Sequence, residues 1–347
     1  HKAIDQRNVR RENEQLRGLI QRARDTHGIV GGSPAIRNLL NLIERMKDAD
    51  APVLVTGESG TGKELVAQAL HYQGKRREHP FIAINCATLK PELLENELFG
   101  HVSGAFTGAV NRKEGLLAAA GPGTLFIDEI ADMDPNVQAS LLRVIETGEY
   151  RPLGSTKLYK TTVRIVAAAN RDLAREVAAQ RFRQDLYYRL SVLVIPTPPL
   201  RDNPDDIPLL VEAYLDRSHA RRKGFQFSPG ALGALRAYPW PGNVRELFNI
   251  CERAVLLSND KVITGDTIQA LLSTGIPFAA PGPASTPAAA FSPPAAHGPQ
   301  SLEEMEREHI GRVLEQVGNN VSQAADILQI DRRTLQRKMV KYGLRGT

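Results

Sequence analysis

The clearest chemistry in the chain lies between residues 57 and 64. Gly57, Glu58, Ser59, Gly60, Thr61, Gly62, Lys63 and Glu64 follow the apolar run Val53-Leu54-Val55 and open a helical stretch from Glu64 to Tyr72. Glycines here let the main chain curl around an anion, with N–H groups and a helix N-terminus aimed at it. Lys63 at the end of such a loop suits the β- and γ-phosphates of a nucleotide. The strand–loop–helix context is the one the motif requires, so ATP binding is expected, and a chance glycine-rich turn is the weaker reading. Glu64 stands where a Ser or Thr hydroxyl usually meets Mg²⁺, which leaves the metal's ligands open at this point.

Four more polar residues directly follow apolar runs. Asn85 follows Phe81 to Ile84, Asp128 and Glu129 follow Leu125 to Ile127, and Asn170 follows Val163 to Ala169. Open parallel sheets bind ligands beyond the carboxyl ends of their strands. Asp128 is therefore expected to hold Mg²⁺ through water, Glu129 to polarise the attacking water, and Asn170 to sense the γ-phosphate. Asn85 would hydrogen-bond Glu129 and restrain it. One Asn at a strand end is commonly a turn former, but four such residues together favour a site.

Three arginines are candidates for phosphate contact. Arg183 and Arg189 are six residues apart, about 120° out of phase on one helix. Either the helix ends between them or only one reaches the phosphates; a pair of surface salt bridges is the plain alternative. Pro241-Gly242-Asn243 reads as a turn and N-cap, which puts Arg245 in a first helical turn. A cation there opposes the helix dipole, and a phosphate would offset that cost, although Glu246 is a competing partner.

The elements that must position these residues alternate from Gly28 to about Thr274. Short β-rich apolar runs, with Val192 to Ile195 as the fifth, read as buried strands of a parallel sheet. Helical stretches such as Val137 to Thr147 lie between them. From Ile207 to Leu272 the signal is helical only, which predicts a small all-α lid. Residues 275–300 are almost entirely Ala, Pro, Gly and Ser, a linker composition. Ser301 and Glu304 suggest a capping box for a helix over 302–316. Val321 to Leu328, the turn Gln329-Ile330, and Asp331 to Tyr342 with Asp331 as N-cap read as a helix-turn-helix. Its second helix is basic, and Arg332, Arg333, Thr334, Gln336, Arg337 and Lys338 are candidates for contact with double-stranded DNA. Residues 1–25 read as a polar helix in which Val9, Leu16 and Ala23 recur every seven residues, either a solvated linker or the end of a coiled coil. The expected domains are thus 1–27, 28–200, 201–274, 275–300 and 301–347.

With 347 residues, 24% of them charged, and a net charge of +5, the chain has the composition of a soluble protein of two or three domains. No apolar run approaches the roughly 20 residues of a membrane span, and the basic N-terminus does not read as a signal peptide. Cys86 and Cys251 lack metal-ligand spacing and read as reduced thiols of a cytoplasmic protein. A start at His1 without Met suggests part of a longer protein.

Gly104-Ala105-Phe106-Thr107-Gly108-Ala109 lies between the second strand and the strand ending in Asp128, preceded by Glu97-Leu98-Phe99-Gly100-His101. A Phe between glycines on a loop suits an apolar tip presented to a partner better than a core residue. With GESGTGKE, ELFGH, GAFTGA, LFIDEI, FRQDLYYRL and WPGNVREL in this order, residues 28–272 closely resemble the sigma-54-dependent enhancer-binding proteins, the NtrC-like AAA+ activators. The C-terminal unit resembles their Fis-type domain. The resemblance implies an α/β AAA+ P-loop NTPase, a parallel sheet flanked by helices, with an all-α lid and a separate all-α helix-turn-helix domain. It implies ATP and Mg²⁺, a hexameric or heptameric ring with nucleotide between subunits, and a dimer through the C-terminal domain. The GAFTGA loop would contact sigma-54 and remodel the closed complex of RNA polymerase. Asn85 with Glu129 looks like the glutamate switch, Asn170 like sensor I, Arg183 and Arg189 like arginine fingers acting in trans, and Arg245 like sensor II. Val30 and Gly31 fall near the adenine pocket. Glu64 is usual in this family, whereas Gln184 replaces a common Glu. In two-component regulators the receiver domain is succeeded by a polar helix like that read for residues 1–25. An AAA+ unfoldase or helicase should carry an aromatic–apolar pore loop in place of GAFTGA. A DNA-binding regulator that only responds to nucleotide would need a lost GAFTGA or Walker B motif.

Overall fold

The computed structural model describes residues 28–106, 109–258, 260–273, 307, 310, 311, 313, 314, 320–328 and 330–343. The readings for residues 1–25 and 275–300, for most of 302–316, and for Thr107, Gly108 and Gln329 fall outside them. The chain divides into two compact units, one running to Gly282 and one from Pro283.

In the first unit, α1 (Pro34–Met46) opens on Ser33, whose hydroxyl accepts from Ile36 N, with a proline where no N–H is needed. β1 (Val53–Thr56) leads through the glycine loop into α2 (Lys63–Tyr72). β2 (Phe81–Asn85) ends in a 3₁₀ turn, Cys86–Thr88, followed by α3 (Pro91–Phe99). An antiparallel pair, β3 (Gly100–His101) and β4 (Lys113–Glu114), carries the hairpin that contains Phe106. Then come α4 (Leu116–Ala120), β5 (Thr124–Asp128) and α5 (Pro135–Thr147). A second short pair, β6 (Glu149–Tyr150) and β7 (Tyr159–Lys160), precedes β8 (Arg164–Ala169). α6 (Leu173–Ala178), α7 (Gln184–Leu190) and β9 (Leu193–Pro196) complete the layer.

β1, β2, β5, β8 and β9 form one parallel sheet in the order β2-β5-β8-β1-β9. The period of two along each strand sorts its side chains between two cores. Leu54, Leu125, Ile127, Ile165 and Ala167 pack with Leu94, Leu98, Leu141 and Leu186 on one face. Val53, Val55, Phe126, Val166 and Ala168 pack with Leu39, Ile43, Val66 and Leu70 on the other. Each such aliphatic side chain contributes about 1.5–3 kcal/mol by leaving water. Burial on both faces explains why the inner strands β1, β5 and β8 read as nearly continuous apolar runs. Near the amino ends of the strands, the buried Arg164 donates to Met46 O and Lys47 O and so satisfies carbonyls at the end of α1.

The lid comprises α8 (Ile207–Arg217), α9 (Pro229–Ala237), α10 (Asn243–Leu257) and α11 (Gly265–Ser273). Trp240 is buried among them, and its indole N–H donates to Leu235 O at 2.7 Å. The lid is not helical throughout, contrary to the expectation from sequence. β10 (Gln226–Phe227) pairs in parallel with β11 (Val262–Ile263). Two-residue strands leave no periodic signature, so sequence pattern misses them.

In the second unit, α12 (Val321–Ile327) and α13 (Arg332–Tyr342) pack through Ala324, Ala325, Leu335 and Met339 against Ile310, Val313 and Leu314. Asp331 caps α13, as its sequence position predicts, by accepting from Arg333 N.

Candidate functional site

The glycine loop lies between the end of β1 and the start of α2, and it curls around its own lysine. Lys63 is buried and donates to Gly57 O at 2.9 Å and Glu58 O at 2.8 Å. Burial pushes its ammonium below the ordinary lysine value, and the charge of nearby Asp128 acts in the opposite direction. Thr61 donates to Glu58 O and shares a 2.7 Å hydrogen bond with Thr197, just past β9. Glu64, in the first turn of α2, accepts from Gln68 and lines the same cavity as the loop.

Asp128 and Glu129 stand at the carboxyl end of β5. Parallel register puts Asn85 beside Asp128, and Asn85 Nδ2 donates to Asp128 Oδ2 at 3.4 Å. Glu129 has a left-handed backbone (φ 53), which turns it toward the end of β8. Its Oε1 lies 3.5 Å from Asn170 Nδ2, at the outer limit of a hydrogen bond. The expected Asn85–Glu129 bond is therefore not present in this conformation. Register assigns Asn85 to Asp128, and the φ at Glu129 hands its carboxylate to Asn170. Asn170 Oδ1 is buried without a partner among the described residues.

The lid grips the loop from above. Arg245 Nη1 donates to Ser59 Oγ at 3.0 Å, and Arg245 N reaches Gly60 O. Arg245 is in the first turn of α10, as read from sequence, but Asn243 is not its side-chain cap. Asn243 is buried inside the helix start with φ 52, donates to Glu58 Oε2 and Ser59 O, and accepts from Leu200 N. Glu246 supplies the cap by accepting from Gly242 N at 2.8 Å, which leaves Arg245 to the loop. Arg201 forms a two-pronged pair with Glu58 at 2.6 and 2.7 Å. That hydrogen bonding, with Asn243 assisting, holds the Glu58 carboxyl below its ordinary value against the effect of burial. A Cβ on Gly60 (φ 79) would lie 2.2 Å from Gly242 O, so only glycine permits this approach.

Of these groups, the loop from Ser59 to Glu64, Asp128, Glu129 and Arg245 line a cavity of about 290 Å³. Its polar end holds residues 59–64, Asp128, Glu129 and Arg245, and its apolar end Ile29, Val30, Ile36, Leu210, Val244 and Phe248. Such a division suits a nucleotide, with phosphates at one end and a base at the other. Val30 lines the apolar end. Gly31 does not line it but packs beneath, where a Cβ would meet Ile36 at 2.8 Å. Sequence reasoning missed Asp206, which is 3% exposed and accepts from Gly32 N and Ser33 N. It also missed Arg201 and Thr197. Their partners are more than a hundred residues away, and no local pattern marks them.

Arg183 and Arg189 do not line this cavity. α7 begins after Arg183, which is its N-cap residue, and Arg189 is in its last turn, so the helix boundary separates them. Arg183 pairs with Asp185 at 2.7 Å and Arg189 with Glu146 at 3.0 Å, both exposed.

On the hairpin, Phe106 is 46% exposed, as an apolar tip should be. Gly104 N donates to Ala109 O, and Ala105 N to Val102 O, which closes the base of the tip. In the second unit, Arg333, Thr334, Gln336 and Arg337 share one exposed face of α13 with Val340 and Lys341. Arg332 and Lys338 lie outside that group. Val340, 83% exposed, was not anticipated, since an isolated apolar residue on a basic helix carries no sequence signal.

Residues 29–196 match the family model of the Sigma-54 interaction domain, residues 201–280 that of the AAA+ ATPase lid domain, and residues 301–342 that of the bacterial regulatory protein, Fis family. The chain is 49% identical over 317 residues to the transcriptional regulatory protein ZraR of Klebsiella oxytoca, spanning 90% of this chain and 68% of that protein. It is 40% identical over 345 residues to the DNA-binding transcriptional regulator NtrC of Rhizobium meliloti, spanning 93% and 71%. The crystal structure of NtrX from Brucella abortus in complex with ADP aligns with a TM-score of 0.65 at 32% identity, over 99% of this chain and 74% of that one. With the P-loop, the lid and the helix-turn-helix in the order those relatives share, the chain belongs to the sigma-54-dependent enhancer-binding proteins, the NtrC-like AAA+ transcription activators.

Proposed function

We propose that this protein is a cytoplasmic, ATP-hydrolysing activator that binds enhancer DNA, assembles into a hexameric or heptameric ring and remodels the sigma-54 RNA polymerase closed complex. The observation that carries this reading is the single cavity in which the phosphate loop, both carboxylates of the β5 end and the lid arginine Arg245 converge, with an exposed Phe on a hairpin of the same unit. Lys63, now bonded to two carbonyls of its own loop, would exchange them for β- and γ-phosphate oxygens. Arg245 would follow from Ser59 to the phosphates. Glu129 would orient and polarise the attacking water, and the unpartnered Asn170 Oδ1 is suited to accept from that water while Nδ2 senses the γ-phosphate.

Among the described residues no group of three His, Cys, Asp or Glu could hold a metal. Mg²⁺ does not need one, because it keeps several waters and takes one or two carboxylates plus phosphate oxygens. Asp128 fits that role, and the Mg²⁺ it holds would neutralise charge on the β- and γ-phosphates. Arg183 and Arg189, which do not line their own cavity, would serve a neighbouring subunit's nucleotide. The C-terminal unit would dimerise and set α13 in the major groove, with Arg333, Thr334, Gln336 and Arg337 facing DNA. Gly104 to Ala109 would meet sigma-54. A receiver domain ahead of this chain would make it the output half of a two-component system.

The test is ATP turnover and promoter opening with sigma-54 holoenzyme on supercoiled template. Wild type should open the promoter only with hydrolysable ATP. Phe106→Ala should hydrolyse ATP yet fail to open it. Opening at the wild-type rate by Phe106→Ala, or with no nucleotide, would sink the remodelling reading.

A further inference from the structure

His101 ends a strand of only two residues, yet its imidazole is just 7% exposed. Nδ1 lies 2.6 Å from Asn96 Oδ1. An amide oxygen only accepts, so Nδ1 is the protonated nitrogen and the ring plane is set by Asn96. The ring also meets Phe106, edge to face, with centroids 5.0 Å apart and planes at 63°. Phe106 is otherwise half exposed, so the imidazole is its perch.

Asn96 belongs to the last turn of α3, while Leu94, Leu98 and Phe99 of that helix face the core. α3 in turn follows the 3₁₀ turn that Asn85 caps through Ala87 N at 2.8 Å. Asn85 also touches Asp128. Hydrogen bonds and the chain itself thus connect the β5 carboxylate, through Asn85, the 3₁₀ turn and α3, to Asn96, His101 and Phe106. A second stitch, Lys113 to Glu97 at 2.6 Å, joins the same helix to the returning strand. It is exposed, and pairs of that kind hold geometry weakly. The part-buried Asn96–His101 bond is the better shielded of the two.

We propose that His101 is a positioning residue that sets the pose of Phe106 according to the position of α3, with Asn96 orienting its ring. This rests on the reading of Phe106 as the partner-contacting tip. It adds the joint through which the nucleotide site would move that tip. The bland alternative is a satisfied histidine that fills the hairpin stem. In that case Asn96 and the nucleotide would have no bearing on Phe106.

The two readings separate in the full chain carrying Phe106→Trp as a reporter, with acrylamide quenching of its indole measured against the buried Trp240. Adding ADP–aluminium fluoride should change quenching at position 106 in the His101 background. The change should vanish in His101→Ala, in His101→Phe, which keeps a ring but no donor, and in Asn96→Leu. It should survive in Asn96→Asp, which keeps an acceptor in place. With Phe106 restored, His101→Ala should turn over ATP close to wild type but lose roughly tenfold to a hundredfold in promoter opening, the scale of an ångström-sized misplacement. A nucleotide response that persists in His101→Ala and Asn96→Leu would overturn the proposal, and the Asn96 pair decides it even if His101→Ala does not fold. The quenching assay contains no sigma-54. A Phe106→Trp protein with His101 intact that responds there, while the wild-type protein opens no promoter, would overturn the functional reading and leave this coupling standing.

Discussion

At Glu129 a left-handed backbone carries the carboxylate away from its neighbour Asp128 and toward Asn170. Under the proposed function, this would divide two adjacent acids between two tasks, metal and water. Glu129→Gln keeps the shape but removes the base. ATP affinity should stay near wild type while turnover falls by about 10²–10⁴-fold, the usual worth of a general base. Equilibrium binding of a fluorescent ATP analogue and steady-state hydrolysis check both halves. A second residue-scale expectation concerns acid. Arg201 holds the Glu58 carboxyl below its ordinary value of 4.5, so the ionised form is favoured by folding. The stabilisation is complete above that ordinary value and is lost as pH falls through the lower folded value. Melting temperature followed from neutral to acid pH should therefore fall less steeply in Glu58→Gln than in wild type. Both acids at the β5 end were legible because they directly follow an apolar run, Lys63 because it ends a glycine-rich loop, and Arg245 because a turn precedes its helix. The partners were not. Nothing local told Asn85 to choose Asp128, since parallel register between β2 and β5 decides that, and nothing local marked Asp206 or Arg201.

Among the elements, the lid's Pro241-Gly242 turn comes close against the glycine loop. Gly60→Ala meets two obstacles, a left-handed φ of 79 and a carbonyl 2.2 Å from the new Cβ. Gly224 has a similar φ of 85 with nothing within 4 Å. Gly224→Ala should therefore cost about 1–2 kcal/mol from backbone strain alone. Gly60→Ala should cost more and also weaken nucleotide binding, because the lid must back away. Denaturant unfolding and nucleotide titration of the two variants test the difference, and equal losses in both would count against the clash. The five sheet strands were readable to within a residue or two because each is a short, mostly apolar run, and the inner three are buried along almost their whole length. The β10–β11 pair was not, since its two-residue partners arise from how the lid helices close. Asn243 was misread as a cap because its sequence position is a capping position, whereas tertiary contact with Glu58 and Ser59 claimed its amide.

For the whole molecule, neither Arg183 nor Arg189 lines the cavity of its own subunit, and both are held by surface carboxylates. If Arg189 completes a neighbour's site, specific activity should rise with protein concentration and level off once rings are full. Arg189→Ala should lose about 10³–10⁵-fold in turnover, the scale of an arginine finger, whereas loss of an exposed ion pair would cost only about 0–1 kcal/mol. Mixing Arg189→Ala subunits with Lys63→Ala subunits, each inactive alone, should restore part of the activity. Co-assembled rings that stay inactive at every ratio would place Arg189 within its own subunit's structure. Such assembly was beyond residue patterns and came from the resemblance, because two arginines six residues apart are consistent with a surface pair as well.

The hairpin leaves and re-enters the domain through a ladder of two residues on each side, Gly100 opposite Glu114 and His101 opposite Lys113. At its neck a Cβ on Gly115 would lie 2.4 Å from the Phe99 carbonyl carbon. Beyond that neck the tip is tethered by Leu153, whose N–H donates to Gly100 O and whose O accepts from Val102 N. The tip is thus an attachment on a standard fitting. Exchange of the tip residues should leave the sheet undisturbed, provided the neck glycines and the Leu153 tether are kept. If the tip meets its partner as proposed, selection can retune which client is gripped without rebuilding the sheet, and a grafted tip from a relative should be accepted as a spare part.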